Sequence, residues 1–253
     1  MRTDLPRRVI VTGGASGIGE AIVAAFADNG ASVGIISRSA ETVDRVLAGP
    51  LARHRDRIRW RVADVADEVA TASAVEGLAD ELGGVDALVA SAGVEGEMGA
   101  TVAEVTSADF RRVLEVNVVG VFNAIQATLP HLSSSEDASV TIVGSDSGFV
   151  AAPGMLAYNA SKGALVQMTR ALAFELFADH TIRVNSICPS IVDTPMSRRA
   201  MEIDSFDDAD YPVHTPDDVA WSVLYLASSR SRAINGVNLL SDFGYSGRSS
   251  YPA

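Results

Sequence analysis

The chain has 253 residues, of which 47% are apolar and only 6% aromatic, and its formal net charge is −12. This length and composition predict a single α/β domain whose core is built mainly from Ala, Val, Ile and Leu. The acidic charge argues against nucleic acid and anionic membranes as partners, and it identifies no substrate.

Targeting signals are not evident in the sequence. The N-terminal segment carries charges and a proline but no apolar run, which indicates no secretory signal. No apolar run is expected to approach the roughly 18 residues that span a bilayer. The single cysteine, Cys188, excludes an intramolecular disulfide and fits a reducing compartment. We therefore expect a soluble cytoplasmic protein.

The predicted elements alternate along the chain. Short runs rich in Val, Ile and other apolar residues predict strands at residues 8–12, 32–37, 57–62, 87–91, 140–143, 182–187 and 237–240. Longer segments with helical periodicity follow them, at residues 17–29, 68–82, 108–132, 158–178 and 216–228. This rhythm predicts right-handed crossovers and one doubly wound parallel sheet.

Two segments depart from this rhythm. Residues 196–211 are rich in Asp, with Arg198, Arg199 and Met201 among them. We interpret this segment as a short lid over the site, and an ordinary surface loop is the alternative. The tail at residues 245–253 either reaches a neighbouring subunit or frays.

A glycine-rich turn follows the first strand. Gly13, Gly17 and Gly19 lie between that strand and the first helix, where positive φ angles and close approach to the backbone are needed. The N–H groups at the start of a helix favour an anion such as a pyrophosphate. The spacing is not the common G-x-G-x-x-G pattern, but its position after the first strand indicates a dinucleotide-binding turn.

The end of the second strand bears on the choice of dinucleotide. An acidic residue there would bind the ribose 2′-OH of NAD, but the strand ends in Ser37 and Arg38. These side chains suit a 2′-phosphate, so the sequence favours NADP(H). The alternative is that Arg38 lies in solvent and the site accepts NAD(H) as well.

A second group of residues suggests acid–base chemistry. Tyr158 and Lys162 are four residues apart on a predicted helix and therefore share a face. A nearby ammonium lowers the pKa of a tyrosine, which is otherwise about 10. Ser145 ends the fifth strand, where it can hold a substrate oxygen. Asn117 lies among apolar residues and either holds a water for proton relay or is a satisfied core amide.

Together these residues resemble the short-chain dehydrogenase/reductase family almost from end to end. The resemblance implies a single Rossmann-like domain with a seven-stranded parallel sheet flanked by helices. It implies catalytic roles for Asn117, Ser145, Tyr158 and Lys162, with Ser145 and Tyr158 contacting substrate. It also implies a homotetramer or homodimer. With Ser37 and Arg38 from the second strand, the residues expected to contact the cofactor are Gly13, Ser16, Gly17, Ile18, Gly19, Ser37, Arg38, Asp64, Val65, Ser91, Ala92, Gly93, Tyr158, Lys162, Pro189, Ile191 and Thr194.

Three positions differ from the family pattern. Ser91 stands where an asparagine is usual, which places local sheet bonding in doubt. Ser190 replaces a glycine, which predicts a tighter nicotinamide pocket. Phe243 replaces a glycine near the C-terminus, where we expect it to pack at a subunit interface.

The function predicted from these features is hydride transfer between a nicotinamide and a carbonyl or secondary alcohol. The expected pocket walls are small or apolar, at residues 94–98 and 149–156 and at Ile191, so the substrate is expected to be small to mid-sized and partly apolar. The four histidines lack metal-ligand spacing, and no metal is expected. The alternatives are a non-catalytic dinucleotide sensor or scaffold, and a related chemistry such as epimerisation.

Overall fold

The computed structural model describes residues 4–247, so most of the predicted tail, residues 248–253, lies outside the described part. Seven strands form one parallel sheet, as the sequence predicted, and their order in the sheet is β3-β2-β1-β4-β5-β6-β7. Their bounds are β1 Arg8–Thr12, β2 Ser32–Ser37, β3 Ile58–Val62, β4 Ala87–Ala90, β5 Ser139–Val143, β6 Arg183–Pro189 and β7 Asn238–Ser241.

Helices cover both faces of this sheet. The helices described are α1 Gly17–Asp28, α2 Ala40–Ala48, α3 Glu68–Leu82, α4 Ser107–Leu114, α5 Gly120–Leu132, α6 Leu156–His180, α7 Pro195–Met201 and α8 Pro216–Ala227. Helices α1 and α8 pack together on one face, whereas α3, α5 and α6 cover the other. Because all seven strands are parallel, the carboxyl ends of β1, β4, β5 and β6 meet at one edge of the sheet. Ligands of such sheets bind at this edge.

Strand β1 illustrates how the core is built. Val9 and Val11 point toward the α1 and α8 side, and Ile10 points toward the α3 and α5 side. All three side chains are fully buried. Successive side chains of a strand point to opposite faces of the sheet, and here helices cover both faces. Both sets of side chains are therefore apolar, which produces the continuous apolar run seen in the sequence.

The segment predicted as one helix over residues 108–132 is interrupted. A π-helical turn, Glu115–Val119, separates α4 from α5. The apolar periodicity continues across the turn, so it could not reveal an inserted residue. Such turns are frequent at functional sites, and this one contains the predicted catalytic residue Asn117.

The predicted lid segment also contains an element that periodicity did not reveal. Helix α7 begins at Pro195, one residue before this segment, because Thr194 and Ser197 form a reciprocal capping box and Pro195 occupies the first helical position. Residues 202–213 continue as turns and bends. The segment thus begins as a short helix that is capped by a predicted cofactor residue.

One expectation about apolar runs needs correction. Within the described chain, the helical stretch Ser107–Leu132 is long and apolar enough to cross a membrane. Half of its most apolar window is buried inside the fold, which is the behaviour of a core helix. Length and composition of this stretch therefore carry little weight as an argument for a membrane span.

Candidate active site

The glycine turn after β1 is shaped by close backbone contacts. Gly13 has φ 69°, and a Cβ atom there would lie 2.8 Å from the Cα of Ala92. A Cβ atom on Gly19 would overlap the carbonyl oxygen of Gly13. Glycine is therefore required at both positions, because any side chain would push the turn away from β4 or away from α1.

The start of α1 is exposed to the groove beside this turn. Ser16 precedes the helix in an extended conformation, and its side chain makes no capping hydrogen bond to the first turn. A Cβ atom on Gly17 would lie 3.2 Å from Cγ2 of Thr194, so the segment after β6 lies against the glycine turn. The predicted cofactor contacts on the glycine turn and those after β6, among them Thr194, therefore lie in one groove. Helix dipole and backbone N–H groups there suit a pyrophosphate.

A cavity of about 200 Å³ continues from this turn along the edge of β2. Ser37 and Arg38 line it on one side, and Val65 lines it on the other. The remaining walls are Gly13, Ala15, Ser16, Ile36, Ser39, Thr42, Ala63, Ala92, Gly93, Val94 and Val116. The residues present therefore fit the adenosine part of a dinucleotide, because they provide a glycine cradle, apolar walls and the cation of Arg38.

Asp64 and Val65 are adjacent in sequence, but of these two residues Val65 alone lines the cavity. The Asp64 side chain is exposed and accepts a hydrogen bond from the backbone N–H of Ala66 at 3.0 Å. Val65 is buried, and its carbonyl accepts a hydrogen bond from Asn123 at 2.9 Å. Asn123 therefore fixes the wall that Val65 forms.

The substitution of serine at position 91 does not loosen the junction between β1 and β4. The hydroxyl oxygen of Thr12 accepts hydrogen bonds from the backbone N–H groups of Ser91 and Ala92, at 3.1 and 3.2 Å. The serine side chain is not needed for this link. The doubt that the sequence raised about local sheet bonding is resolved by Thr12.

Three predicted catalytic residues meet at the carboxyl edge of the sheet. Ser145 is buried just after β5, and Tyr158 and Lys162 lie on successive turns of α6. Lys162 Nζ lies 5.4 Å from the centroid of the Tyr158 ring and donates a hydrogen bond to the carbonyl of Val143 at 3.0 Å. The predicted face-sharing of the tyrosine and the lysine is thus present.

The protonation of this pair is governed by burial. Removal from water raises the pKa of Tyr158 to about 12, although the neighbouring Ser145 hydroxyl opposes part of the rise. The carboxylates of Asp146 and Glu95 raise it further. Burial lowers the pKa of Lys162 to about 8. The protein's own groups therefore do not produce the lowered tyrosine pKa that the sequence predicted.

Asn117 is fully buried and anchors the loop after β4. Its amide donates to the Val94 carbonyl at 2.9 Å and to Ser161 Oγ at 3.0 Å, and its oxygen accepts from Val94 N–H at 2.8 Å. Ser161 in turn donates to the backbone carbonyl of Tyr158 at 2.8 Å. Both amide N–H groups are used by the protein, which favours the core-amide interpretation over a water held by this side chain.

Two ion pairs connect the predicted lid segment to neighbouring parts of the chain. Arg199 on α7 lies 3.1 Å from Glu95, which belongs to the loop after β4. Arg198 pairs with Asp193 at 2.6 Å, just after β6. Both contacts tie α7 to segments that border the predicted pocket. Sequence spacing gave no sign of either pair.

Cys188 and His214 are two further buried side chains near the site. Burial raises the pKa of the Cys188 thiol. His214 Nε2 lies 2.9 Å from Ser241 Oγ. Within residues 4–247, no three His, Cys, Asp or Glu side chains converge as metal ligands; the lack of a metal stays a prediction.

Sequence and structure comparisons place these features in context. The short chain dehydrogenase family matches residues 7–204. 2-(R)-hydroxypropyl-CoM dehydrogenase of Xanthobacter autotrophicus is 34% identical over 95% of this chain and 99% of its own. NADP-dependent (R)-specific alcohol dehydrogenase of Lentilactobacillus kefiri is 31% identical over 93% of this chain and 95% of its own. The structure of 3-ketoacyl-(acyl-carrier-protein) reductase from Brucella melitensis, complexed with NADH, is similar with a TM-score of 0.87 at 31% identity, covering 96% of this chain and 100% of that one.

Proposed function

Because the chain belongs to the short-chain dehydrogenase family and is an oxidoreductase of that type, we propose that it interconverts a carbonyl and a secondary alcohol with Tyr158 as the acid and base. The observation that carries this proposal is the meeting of Ser145, Tyr158 and Lys162 at the carboxyl edge of the sheet, next to the dinucleotide groove. A bound nicotinamide dinucleotide supplies or receives the hydride.

The side chains of the site stabilise the substrate oxygen and transfer the proton. Ser145 donates a hydrogen bond to the substrate oxygen as charge develops on it. In the reduction, the Tyr158 hydroxyl protonates that oxygen, and its raised pKa keeps the hydroxyl protonated near neutral pH. Lys162, the only lysine of the chain, then returns a proton to the Tyr158 oxygen. Asn117 positions this group by holding Val94 and Ser161 in place.

We also propose a preference for NADP(H). The support is that Arg38 and Ser37 line the cavity where the adenosine ribose would lie. Arg38 supplies a cation there, and a guanidinium binds phosphate oxygens with paired hydrogen bonds. Use of NAD(H) is the alternative, in which Arg38 remains in solvent.

The substrate is proposed to be small to mid-sized and partly apolar. Phe149, Val150 and Leu156 are partly exposed at the predicted pocket wall, whereas Glu95 and Asp146 add polar groups near Tyr158. The segment 196–211 is proposed to act as a lid, tied to the loop after β4 by Arg199. Ser190 is expected to narrow the nicotinamide side of the pocket.

A homotetramer is the proposed assembly, with a homodimer as the smaller alternative. Two sets of exposed apolar side chains support it. One comprises Trp221 and Tyr225 of α8 with Leu239 and Leu240 of β7, and the other comprises Val119 of the π-helical turn, Phe122 of α5, and Phe174 and Phe177 of α6. Phe243, also exposed, follows β7 in the chain. Exposed apolar side chains that form a large patch mark association surfaces. Sedimentation of the wild type against Trp221→Lys tests the assembly, since loss of the larger species is expected.

The function is tested by fluorescence titration with NADPH and NADH, followed by a panel of ketones and aldehydes read at the cofactor's absorbance. Binding with oxidation of NADPH by a panel member supports the proposal. Tight binding without turnover across a broad panel favours the sensor or scaffold instead. Failure of both cofactors to bind contradicts the proposed function altogether.

A further inference from the structure

Asp146 directly follows Ser145 and opens the short 3₁₀ turn Asp146–Gly148. Ser145 Oγ donates a hydrogen bond to Asp146 Oδ1 at 3.1 Å. The same hydroxyl oxygen accepts a hydrogen bond from Ser147 N–H at 3.1 Å. A serine hydroxyl has one proton, and when that proton is donated to Asp146 it is taken away from Tyr158, whose pKa the same hydroxyl lowers, and from a substrate oxygen beside it.

This geometry conflicts with what Ser145 must do in the reaction. A hydroxyl that stabilises negative charge on a substrate oxygen must donate its proton to that oxygen. An ionised carboxylate can only accept, and a hydrogen bond to it is stronger than one to a neutral group. We propose that Asp146 is a positioning residue whose carboxylate competes with the substrate oxygen for the proton of Ser145. This inference rests on the proposed function and identifies a device that regulates it.

Protonation of Asp146 reverses the arrangement. A neutral carboxyl group can donate its own O–H to Ser145 Oγ, and the serine proton is then free to turn toward the substrate. Only one proton is taken up by the carboxylate, and no bond of the substrate changes in this step. Burial raises the pKa of Asp146, although its contacts with Ser145 and Ser147 oppose the rise. The switch therefore operates above the usual pH range of an aspartate.

The surroundings of Asp146 contribute to this switch from several elements. The titratable groups packed around the turn are Tyr158 and Lys162 on α6, Cys188 on β6, His214 before α8 and Asp242 after β7. Asp242 is held ionised, because hydrogen bonds from Ser246 lower its pKa. Its negative charge raises the pKa of Asp146, and His214 acts in the opposite direction. Burial keeps Tyr158 and Cys188 protonated near neutral pH.

The experiment is a pH profile of kcat/KM for carbonyl reduction from pH 5 to 8, for the wild type and Asp146→Asn. Wild-type activity is expected to fall by about five- to tenfold as pH rises and Asp146 ionises, which is the difference between a charged and a neutral hydrogen bond. The asparagine variant is expected to lack that fall and to exceed the wild type at pH 8. A purely structural role for Asp146 would lower activity equally at every pH.

Two further variants make the result decisive. Asp146→Ala removes the competing acceptor without leaving an amide, and it is expected to give the same flat profile. In a Ser145→Ala background, Asp146→Asn is expected to have no effect on the profile, because the proton in question is gone. If the wild type turns over and its pH profile superimposes on that of Asp146→Asn, this inference is wrong and the proposed function still stands. Absence of wild-type turnover with any carbonyl and either cofactor overturns the proposed function as well.

Discussion

Lys162 Nζ lies over the face of the Tyr158 ring, 5.4 Å from its centroid, and donates its hydrogen bond to the Val143 carbonyl at 3.0 Å. The ammonium is therefore held by the end of β5 and not by the phenolic oxygen. Lys162 is buried and Tyr158 is half-buried, and for both side chains burial favours the uncharged form. Burial lowers the pKa of Lys162 to about 8 and raises that of Tyr158 to about 12.

The titration of Lys162 can be observed directly, because it is the only lysine of the chain. Protein labelled with ¹³C-lysine is expected to show one Cε resonance that titrates with a pKa of about 8. The same resonance in urea-unfolded protein serves as the control and is expected near the ordinary value of about 10.4. A folded-state midpoint at that ordinary value would show that burial does not govern this amine.

The lowered pKa of Lys162 also predicts a pH dependence of stability. Between the folded pKa of about 8 and the unfolded value of 10.5, the unfolded chain binds more protons than the native chain. The free energy of unfolding should therefore rise with pH in this window, by about 1 kcal/mol from pH 8 to pH 9. Urea unfolding of the wild type and of Lys162→Met measures it. The rise should be absent in the methionine variant, and an equal rise in both would assign it to other groups.

Replacement of Tyr158 by phenylalanine is expected to remove turnover and leave cofactor binding intact. General acid–base groups contribute about 10²- to 10⁴-fold in rate, so kcat should fall by at least about a hundredfold. Tyr225→Phe is the matched control, because that tyrosine lies on α8 outside the site and phenylalanine keeps its aromatic ring at the proposed association surface. The dissociation constant for the cofactor should change little in either variant. Retained turnover in Tyr158→Phe would exclude the assigned acid and base.

Most of the fold could be predicted because its signals are local. The buried strands appear as short apolar runs such as Val9 to Val11, and the glycine turn follows the first of them. The π-helical turn at Asn117 was missed, because the apolar residues around it repeat as in an ordinary helix. A buried asparagine in such a run was the only local signal that the helix is interrupted there.

The contacts that organise the site were harder to predict. Asn123 holds the carbonyl of Val65 across 58 positions of sequence, and Thr12 holds Ala92 across 80. Such pairs depend on which strand ends meet, and a single sequence carries no record of that. The influence of Asp146 on Ser145 is local, but adjacency in sequence does not show which way a hydroxyl points.

The glycine turn predicts opposite outcomes for two glycines that both lie in helices. Gly19→Ala would force its Cβ into the Gly13 carbonyl, so weaker cofactor binding and a lower melting temperature are expected. Gly163→Ala is the control, since a Cβ there would lie 4.0 Å from Gly148 O, which is ordinary van der Waals contact. Alanine in a helix interior is worth up to about 1 kcal/mol over glycine, so this control should be as stable as the wild type or more so. Equal tolerance at both positions would contradict the close contact between α1 and the turn.

The role proposed for Arg38 predicts a change in cofactor choice. Arg38→Leu removes the cation that lines the cavity beside Ser37 and should weaken NADPH binding by about 10- to 100-fold, the range expected for a charged hydrogen bond. Binding of NADH should change less than threefold, because NADH has no 2′-phosphate for the guanidinium to bind.

Arg55→Leu is the control, since Arg55 is exposed in the turn before β3 and lies outside this cavity. Fluorescence titration of the three proteins with both cofactors measures the effect, at low and high salt so that general screening is separated from a local contact. Parallel loss of NADPH and NADH affinity would indicate a damaged fold, and an unchanged NADPH affinity would mean that Arg38 remains in solvent and that the site does not select for the phosphate.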